Sequence, residues 1–214
     1  MKDFIIEVSS LYQKASDTKN DNPKIRRGRS HSIASETEDL FATFITKADK
    51  NVDMLYVDQP ITIPTTAING KKSFQRYPDM VIVKNGYITA LIDLKMDLGW
   101  NRDGLAKTCK KHFRTVQLAK GGIGKLRDGK TKEKQELKFS KELTYSIVIV
   151  SGTNISQEKL NRQISESNSL SPKVHVYVLS DGLHPNDYWR SCQTDKEKLV
   201  IYQDEFNSLM RRIK

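Results

Sequence analysis

Several residue types that mark common protein classes are scarce in this chain. Only two cysteines, Cys109 and Cys192, occur in 214 residues, and neither belongs to a C-x-x-C pair or a Cys/His cluster. A disulfide framework and a structural zinc site are therefore not supported, and both thiols are expected to act as small apolar core groups. Four histidines are scattered without metal-site spacing: His31, His112, His175 and His184. We expect each of them to be a structural or surface residue.

Long apolar runs and the motifs of several enzyme classes are also missing. No stretch approaches the roughly 20 apolar residues needed to cross a bilayer, and the opening MKDFIIEVSS lacks the apolar segment of a signal peptide. There is no Walker loop and no G-x-S-x-G, so an NTP-driven motor and a serine hydrolase are not supported. These absences predict a cytoplasmic protein without a membrane partner. The length of 214 residues predicts that residues 1–214 form one domain.

Basic residues, in contrast, are abundant and concentrated. The chain has 36 Lys and Arg against 26 Asp and Glu, a formal net charge of +10. Residues 107–141 hold twelve basic and three acidic residues, and a second basic cluster, KIRRGR, occupies residues 24–29. Most charge runs are solvated faces, and basic surfaces also bind membranes. Two concentrated patches favour a polyanion, however, because phosphate neutralisation dominates nucleic-acid affinity.

Hydrophobic periodicity predicts an α/β chain. The predicted helices span 2–15, 35–49, 103–120, 156–167 and 204–213, and the predicted strands span 80–84, 87–95, 144–150 and 173–179. Short β-like runs near 52–57 and 61–63, interrupted by prolines, suit edge strands or a loop. Residues 120–141 show no apolar period and are predicted to be a basic surface loop, and residues 1–34 are predicted to be an N-terminal arm.

The second predicted helix carries an acidic residue whose role is open. Ser35 is expected to be the N-cap, with Glu38 three residues later at the capping-box position. At about 100° per residue, Glu38 also falls near the face of Phe41 and Ile45, and Asp39 turns away from it. Glu38 is therefore either a capping residue or an acid on the core side of the helix.

Residues 76–95, RYPDMVIVKNGYITALIDLK, combine a hairpin signal with three charged residues. Asn-Gly at 85–86 predicts a type I′ turn, and a two-residue loop then places Asp79 one position out of register with Asp93. Side chains alternate along a strand, so Asp93 and Lys95 are expected on the same face.

The two aspartates of this hairpin require a positive partner. In the expected register Asp79 faces Ile92, and two carboxylates beside an apolar sheet repel each other and lose hydration. Lys95 offsets part of this charge. Mg²⁺ would offset the rest, because it typically takes one or two carboxylates, keeps several waters and leaves room for phosphate oxygens. The alternative is a strand-start aspartate and an ordinary cross-strand ion pair.

These residues carry a resemblance to a known family. P-D at 78–79, a gap of thirteen residues and D-L-K at 93–95 resemble the signature of the PD-(D/E)XK nuclease superfamily, which includes the type II restriction endonucleases. The resemblance implies a restriction-endonuclease-like core, with a central mixed β-sheet flanked by helices.

The same resemblance implies roles for the site residues. Asp79 and Asp93 would bind Mg²⁺ together with the main-chain carbonyl of Leu94. Lys95 would position the attacking water and stabilise charge on the phosphate. Glu38 matches the helical glutamate that approaches the metal in such nucleases, directly or through water.

The implied activity is Mg²⁺-dependent endonucleolytic hydrolysis of double-stranded DNA. Its simplest form is a type II restriction endonuclease acting as a homodimer, alongside a cognate DNA methyltransferase that recognises the same site. The alternatives are a structure-specific nuclease of the junction-resolvase kind and a non-catalytic DNA-binding module on the same fold. Gln117 is followed four residues later by Gly121, so the Q-x-x-x-Y pattern of RecB-like exonucleases is absent. The expected DNA contacts are basic residues of the arm and the loop: Arg26, Arg27, Arg29, Lys125, Arg127, Lys130, Lys132 and Lys134.

Overall fold

The computed structural model of the chain describes residues 1–17, 32–68, 71–99, 104–129 and 131–213, and of residues 65–68, 71 and 72 only the backbone. The strands are β1 Met54–Val57, β2 Ile61–Ile68, β3 Lys71–Arg76, β4 Met80–Lys84, β5 Tyr87–Lys95, β6 Ile123–Arg127, β7 Lys134–Ile149, β8 Val174–Val178, β9 Ser180–Asp181 and β10 Val200–Ile201. The helices are α1 Lys2–Asp17, α2 Ala34–Ala48, α3 Leu105–Ala119, α4 Gln157–Leu170, α5 Pro185–Tyr188, α6 Gln193–Lys196 and α7 Gln203–Ile213.

A mixed eight-stranded sheet forms the centre of the fold. Its strands lie in the order β1-β4-β5-β7-β6-β2-β3, with β8 also paired to β7. The pairs β5–β7 and β7–β8 are parallel, and the other pairs are antiparallel. Parallel neighbours need a crossover connection, which α3 provides between β5 and β7, and α4 between β7 and β8. The predicted central mixed sheet flanked by helices is thus confirmed.

Alternation along the central strands divides the apolar side chains between two cores. Ile92 and Leu94 of β5 belong to one core together with Phe41 and Ile45 of α2, and α1 and α7 complete that layer. Leu91 belongs to the other core, which packs against α3 and α4. The α3 side of β5 is therefore also the side to which Asp93 and Lys95 point, as predicted from the strand period.

The sheet curls rather than lying flat. The Tyr56 hydroxyl of β1 donates a hydrogen bond to Gln135 Oε1 at the start of β7, over 2.5 Å. β1 and β7 are separated in the sheet by β4 and β5, so this contact requires the sheet to bend around the core on the α3 side. None of the helices in the described ranges is long and apolar enough to cross a membrane.

The predicted N-terminus of α2 is wrong. Ile33 is buried at the N-cap position, where it makes no side-chain cap hydrogen bond, and the Ala34 amide donates to Ser32 Oγ over 3.4 Å. Ser35 lies inside the helix, where its hydroxyl bonds to Glu36. Burial of Ile33 anchors the helix start, so the capping role considered for Glu38 is excluded.

The segment 120–141 is also not a loop, because β6 and the first part of β7 form an antiparallel hairpin within it. Gly124 and Leu126 are buried and Lys125 is exposed, which is the alternation of a half-buried strand. The apolar alternation is weak in the sequence because the inward position 124 is a glycine. A Cβ at Gly124 would lie 2.8 Å from the Phe139 ring, so the ring takes the place of a side chain.

Three smaller expectations also fail. The helix predicted at 2–15 is confirmed as α1, but it packs into the core through Phe4 and Ile5 and is not an arm. β2 lies between β6 and β3 rather than at an edge. Cys109 is buried as expected, but Cys192 is exposed.

Candidate active site

A β-bulge sets the register at the predicted metal site. The turn at residues 85–86 has positive φ at both residues, 50° and 73°, as the type I′ prediction requires. Val83 pairs with Ile88, but Ile82 pairs with Ala90, so Thr89 is an extra residue in β5. The pairing therefore shifts by one, and Met80 faces Ile92. Continued by one residue, this register brings Asp79 level with Asp93, which corrects the predicted offset between them.

Asp79 accepts hydrogen bonds from two residues of β5 through one carboxylate oxygen. The Leu94 amide donates to Asp79 Oδ2 over 2.6 Å, and Lys95 Nζ lies 3.2 Å from the same atom. Lys95 Nζ also lies 3.8 Å from Asp93 Oδ2, so the ammonium bridges the two carboxylates. Burial raises the pKa of Asp79; Lys95 opposes this shift, and the Asp93 charge adds to it.

Asp93 is more deeply embedded and is held by residues from other elements. The Tyr145 hydroxyl of β7 donates to Asp93 Oδ1 over 2.6 Å. His112 Nε2 of α3 lies 3.2 Å from Asp93 Oδ2, a close electrostatic contact in which the ring is not aligned for a hydrogen bond. The His112 ring stacks on Tyr145 with the centroids 3.8 Å apart. Burial alone would raise the pKa of Asp93, but His112, Lys95 and Tyr145 together lower it below its usual value.

His112 and Tyr145 were not identified from the sequence. His112 was expected to be structural or on the surface, and in the structure it is buried against the site. A weak signal existed: His112 lies seven residues after Leu105 and four before Val116, on the apolar face of α3. Nothing in the sequence indicated that this face of α3 would meet Asp93.

Glu38 faces the same site from α2. Together with Asp79 and Lys95 it lines an open pocket of about 270 Å³. Burial raises the pKa of Glu38 to about 7, with Asp79 and Asp58 adding to the shift. A carboxylate beside other carboxylates is destabilised until a cation arrives, so the pocket favours binding of a positive ion.

Asp97, in the loop that follows β5, also lines this pocket. His184 Nε2 lies 3.4 Å from Asp97 Oδ2, and Asn154 and the Gly99 amide donate to the carboxylate over 2.8 and 2.6 Å. These partners, His184 first, lower the pKa of Asp97 to about 2. The Asn186 amide donates to His184 Nδ1, so the proton of a neutral ring is on Nε2, facing Asp97.

The donor set suits a hard divalent cation only with help from the main chain and water. Within the described ranges no group of three His, Cys, Asp or Glu side chains could hold a metal ion. Two carboxylates, those of Asp79 and Asp93, lie close together on either side of the Lys95 ammonium. The N–H and C=O of one strand residue point to the same side, so the Leu94 carbonyl faces the side on which its amide meets Asp79. Two carboxylates, one carbonyl and waters form an Mg²⁺-type ligand set.

Four of the predicted DNA-binding residues lie in the described part of the chain, and the structure does not bring them to this pocket. Lys125 and Arg127 lie on β6, and Lys134 begins β7; Lys132 lies in the connecting turn. The base of the hairpin, at Lys138, pairs with Tyr87 at the start of β5. Lys95 is at the other end of β5, so the hairpin lies away from the pocket. The remaining predicted contacts lie outside the described residues: Arg26, Arg27, Arg29 and Lys130.

Comparison of the chain with protein-family models, with curated proteins and with solved structures finds no match.

Proposed function

We propose that the chain is an Mg²⁺-dependent endonuclease with a restriction-endonuclease-like core that hydrolyses phosphodiester bonds of double-stranded DNA. One observation carries the proposal: the bulge at Thr89 aligns Asp93 with Asp79, which lines an open pocket, and the Lys95 ammonium lies close to both carboxylates. A module that only binds DNA has no need of two anions facing a phosphate backbone.

The residues at the site would have different roles in hydrolysis. Asp79, Asp93 and the Leu94 carbonyl would hold Mg²⁺, which supplies charge stabilisation at phosphorus and a more acidic bound water when it is present. Lys95 lies against both carboxylates and can orient a water towards the phosphate and stabilise charge on its oxygens. Glu38, with a pKa of about 7, can accept a proton from that water near neutral pH.

Within this class we propose a site-specific enzyme of the type II restriction kind. The chain has the size of one catalytic and recognition subunit, and a homodimer would match a palindromic site. A junction-resolvase-like nuclease is the alternative with the same chemistry.

The test uses supercoiled plasmid DNA with Mg²⁺ or with EDTA. Nicked and linear products should form only with Mg²⁺. Asp79→Asn and Asp93→Asn should each abolish cleavage, with DNA binding retained or tightened because a charge that repels phosphate is removed. Asp39→Asn, an exposed acid on α2 next to Glu38, is the matched control and should cut like the wild type.

Near-wild-type cleavage by either site variant would refute the site assignment. The products separate the two forms of the proposal, because a restriction enzyme gives discrete fragments from linear DNA and a resolvase cuts branched substrates.

A further inference from the structure

The outer face of α3 is a strongly basic surface that the catalytic site does not use. Its four basic residues, Lys107, Lys110, Lys111 and Arg114, are all exposed, and the helix contains no Asp or Glu. We call these four residues the α3 ridge. None of them forms an ion pair with any residue in the described part of the chain.

The ridge is a continuous stripe rather than a scatter of charges. At 100° per residue its members fall within an arc of about 100°, opposite the buried stripe that contains Leu105, Cys109 and His112. From Lys107 to Arg114 the rise is roughly 10 Å. Duplex DNA carries one charge per about 1.7 Å of its axis, so several phosphates fall within the reach of such a stripe.

Arg76 at the end of β3 extends this basic surface towards the catalytic residues. Its Nε donates to Thr115 Oγ1 of α3 over 3.0 Å, its Nη1 donates to the Gln75 carbonyl over 3.1 Å, and its guanidinium lies 4.2 Å from the Phe74 ring centroid. Burial lowers the pKa of Arg76, and the nearby Arg114 charge lowers it further. Arg76 contacts the residue that follows Arg114, and a bound anion would offset the repulsion between the two guanidinium charges.

Two observations relate this surface to the proposed cleavage site. Arg76 lies three residues before Asp79 in the chain. On the inner side of the same helix, His112 lies 3.2 Å from Asp93. The ridge, on the outer side, is therefore separated from Asp93 by the width of one helix, about 10 Å, which phosphates of one bound duplex can span.

We propose that the α3 ridge, together with Arg76, binds the phosphate backbone of duplex DNA beside the scissile phosphate. The inference rests on the proposed nuclease function and adds to it the surface on which the substrate docks. It differs from the contacts expected from the sequence, which lie on the β6–β7 hairpin and the N-terminal segment.

The test measures binding without cleavage. Fluorescence anisotropy of a labelled 30-base-pair duplex is recorded with Ca²⁺ in place of Mg²⁺, at several NaCl concentrations, for the wild type and two variants with equal charge loss. One variant replaces the ridge, K107Q/K110Q/K111Q/R114Q. The other replaces the hairpin residues, K125Q/R127Q/K132Q/K134Q. Circular dichroism and thermal melting confirm that both variants fold.

The ridge variant should bind at least tenfold more weakly at 100 mM NaCl. The slope of log K against log salt should fall by up to about 3.6, that is 0.9 for each of four phosphate contacts. The hairpin variant should keep the wild-type slope. Arg76→Gln, measured separately, should lower the slope by about one.

The outcomes distinguish this inference from the proposed function. Wild-type binding with an unchanged slope in the ridge variant would overturn the docking surface alone. A loss confined to the hairpin variant would do the same and would place the DNA on β6 and β7. A wild-type chain that does not bind DNA under any of these conditions would overturn both.

Discussion

At the scale of single residues, the two aspartates of the site are not equivalent. Both oxygens of Asp93 are engaged, by Tyr145 and by His112, and these partners outweigh burial and lower its pKa. Asp79 has a main-chain donor and Lys95 but keeps a raised pKa, because of burial and the neighbouring Asp93 charge. Asp93 is thus an anion that the fold has already stabilised, and Asp79 gains most from an added cation.

Tyr145→Phe tests whether the partners of Asp93 matter for metal binding. Removal of the hydroxyl that donates to Oδ1 leaves this buried carboxylate less well oriented, and such supporting contacts typically change metal affinity or activity by about 10- to 100-fold. We expect the Mg²⁺ concentration for half-maximal cleavage to rise by about that factor. The control is Tyr177→Phe, which removes the hydroxyl of another buried strand tyrosine, bonded to Arg212. An equal change in both variants would mean that the effect is one of packing.

Glu38→Gln tests whether the ionised Glu38 carboxylate destabilises the folded chain. The pKa of Glu38 in the folded chain, about 7, lies above its usual 4.5, so the unfolded chain loses this proton first as the pH rises. The wild type should therefore lose stability between about pH 4.5 and pH 7, and the loss is complete above pH 7. Glu38→Gln should be more stable than the wild type at pH 8, by about 1 kcal/mol after allowance for solvent screening, and equal at pH 4.

Urea unfolding at the two pH values measures this difference, with Asp39→Asn as the exposed control on the same helix. A Gln variant that is less stable than the wild type at pH 8 would show that the Glu38 carboxylate is stabilised in the pocket.

At the scale of secondary structure, the β4–β5 hairpin and the β6–β7 hairpin show what local patterns do and do not specify. The positions of both strands and the type I′ turn follow from Asn85-Gly86 and the flanking apolar residues. The extra residue Thr89 has no such signal, yet it decides which residue faces Asp79. In β6 the inward glycine hides the strand period, because the space at Gly124 is filled by Phe139 from β7.

Gly124→Ala tests this packing. An added Cβ would lie 2.8 Å from the Phe139 ring and 3.2 Å from Ile61 Cδ1, so the buried ring must shift. Overpacking of this kind typically costs about 1–3 kcal/mol, which should appear as a lower urea midpoint. Gly129→Ala, in the turn of the same hairpin, has no atom within 4 Å of the new Cβ and should leave the midpoint unchanged. A neutral Gly124→Ala would indicate that β6 is loosely held.

At the scale of the whole molecule, the net positive charge contrasts with the acidic side chains of the pocket. The formal net charge is +10, while the pocket between β4, β5 and α2 is lined by Glu38, Asp79 and Asp97. In the proposed nuclease, the basic surface would attract DNA, and the acidic pocket would bind a metal ion beside the phosphate that is cut.

Duplex DNA should therefore stabilise the folded chain in a salt-dependent way. At a ligand concentration of about 100 Kd, binding to the native state alone contributes about 2.7 kcal/mol. For a chain of this size that corresponds to a rise in Tm of roughly 5–10 °C. Differential scanning fluorimetry with a duplex and Ca²⁺ should show this rise at 50 mM NaCl and little of it at 500 mM. A rise of equal size at both salt concentrations would exclude phosphate neutralisation as its cause.

The sequence alone determined the local facts about this protein: the α/β order, the strands 80–84 and 87–95, the turn between them and the shared face of Asp93 and Lys95. These depend on side-chain periodicity and turn chemistry, which act over a few residues. Only the tertiary structure decided that Asp79 is level with Asp93, that His112 and Tyr145 hold Asp93, and that Glu38 faces the pocket. The reason is physical: a bulge and the packing of α2, α3 and β7 onto one end of β5 are set by long-range burial, which leaves no local period in the chain.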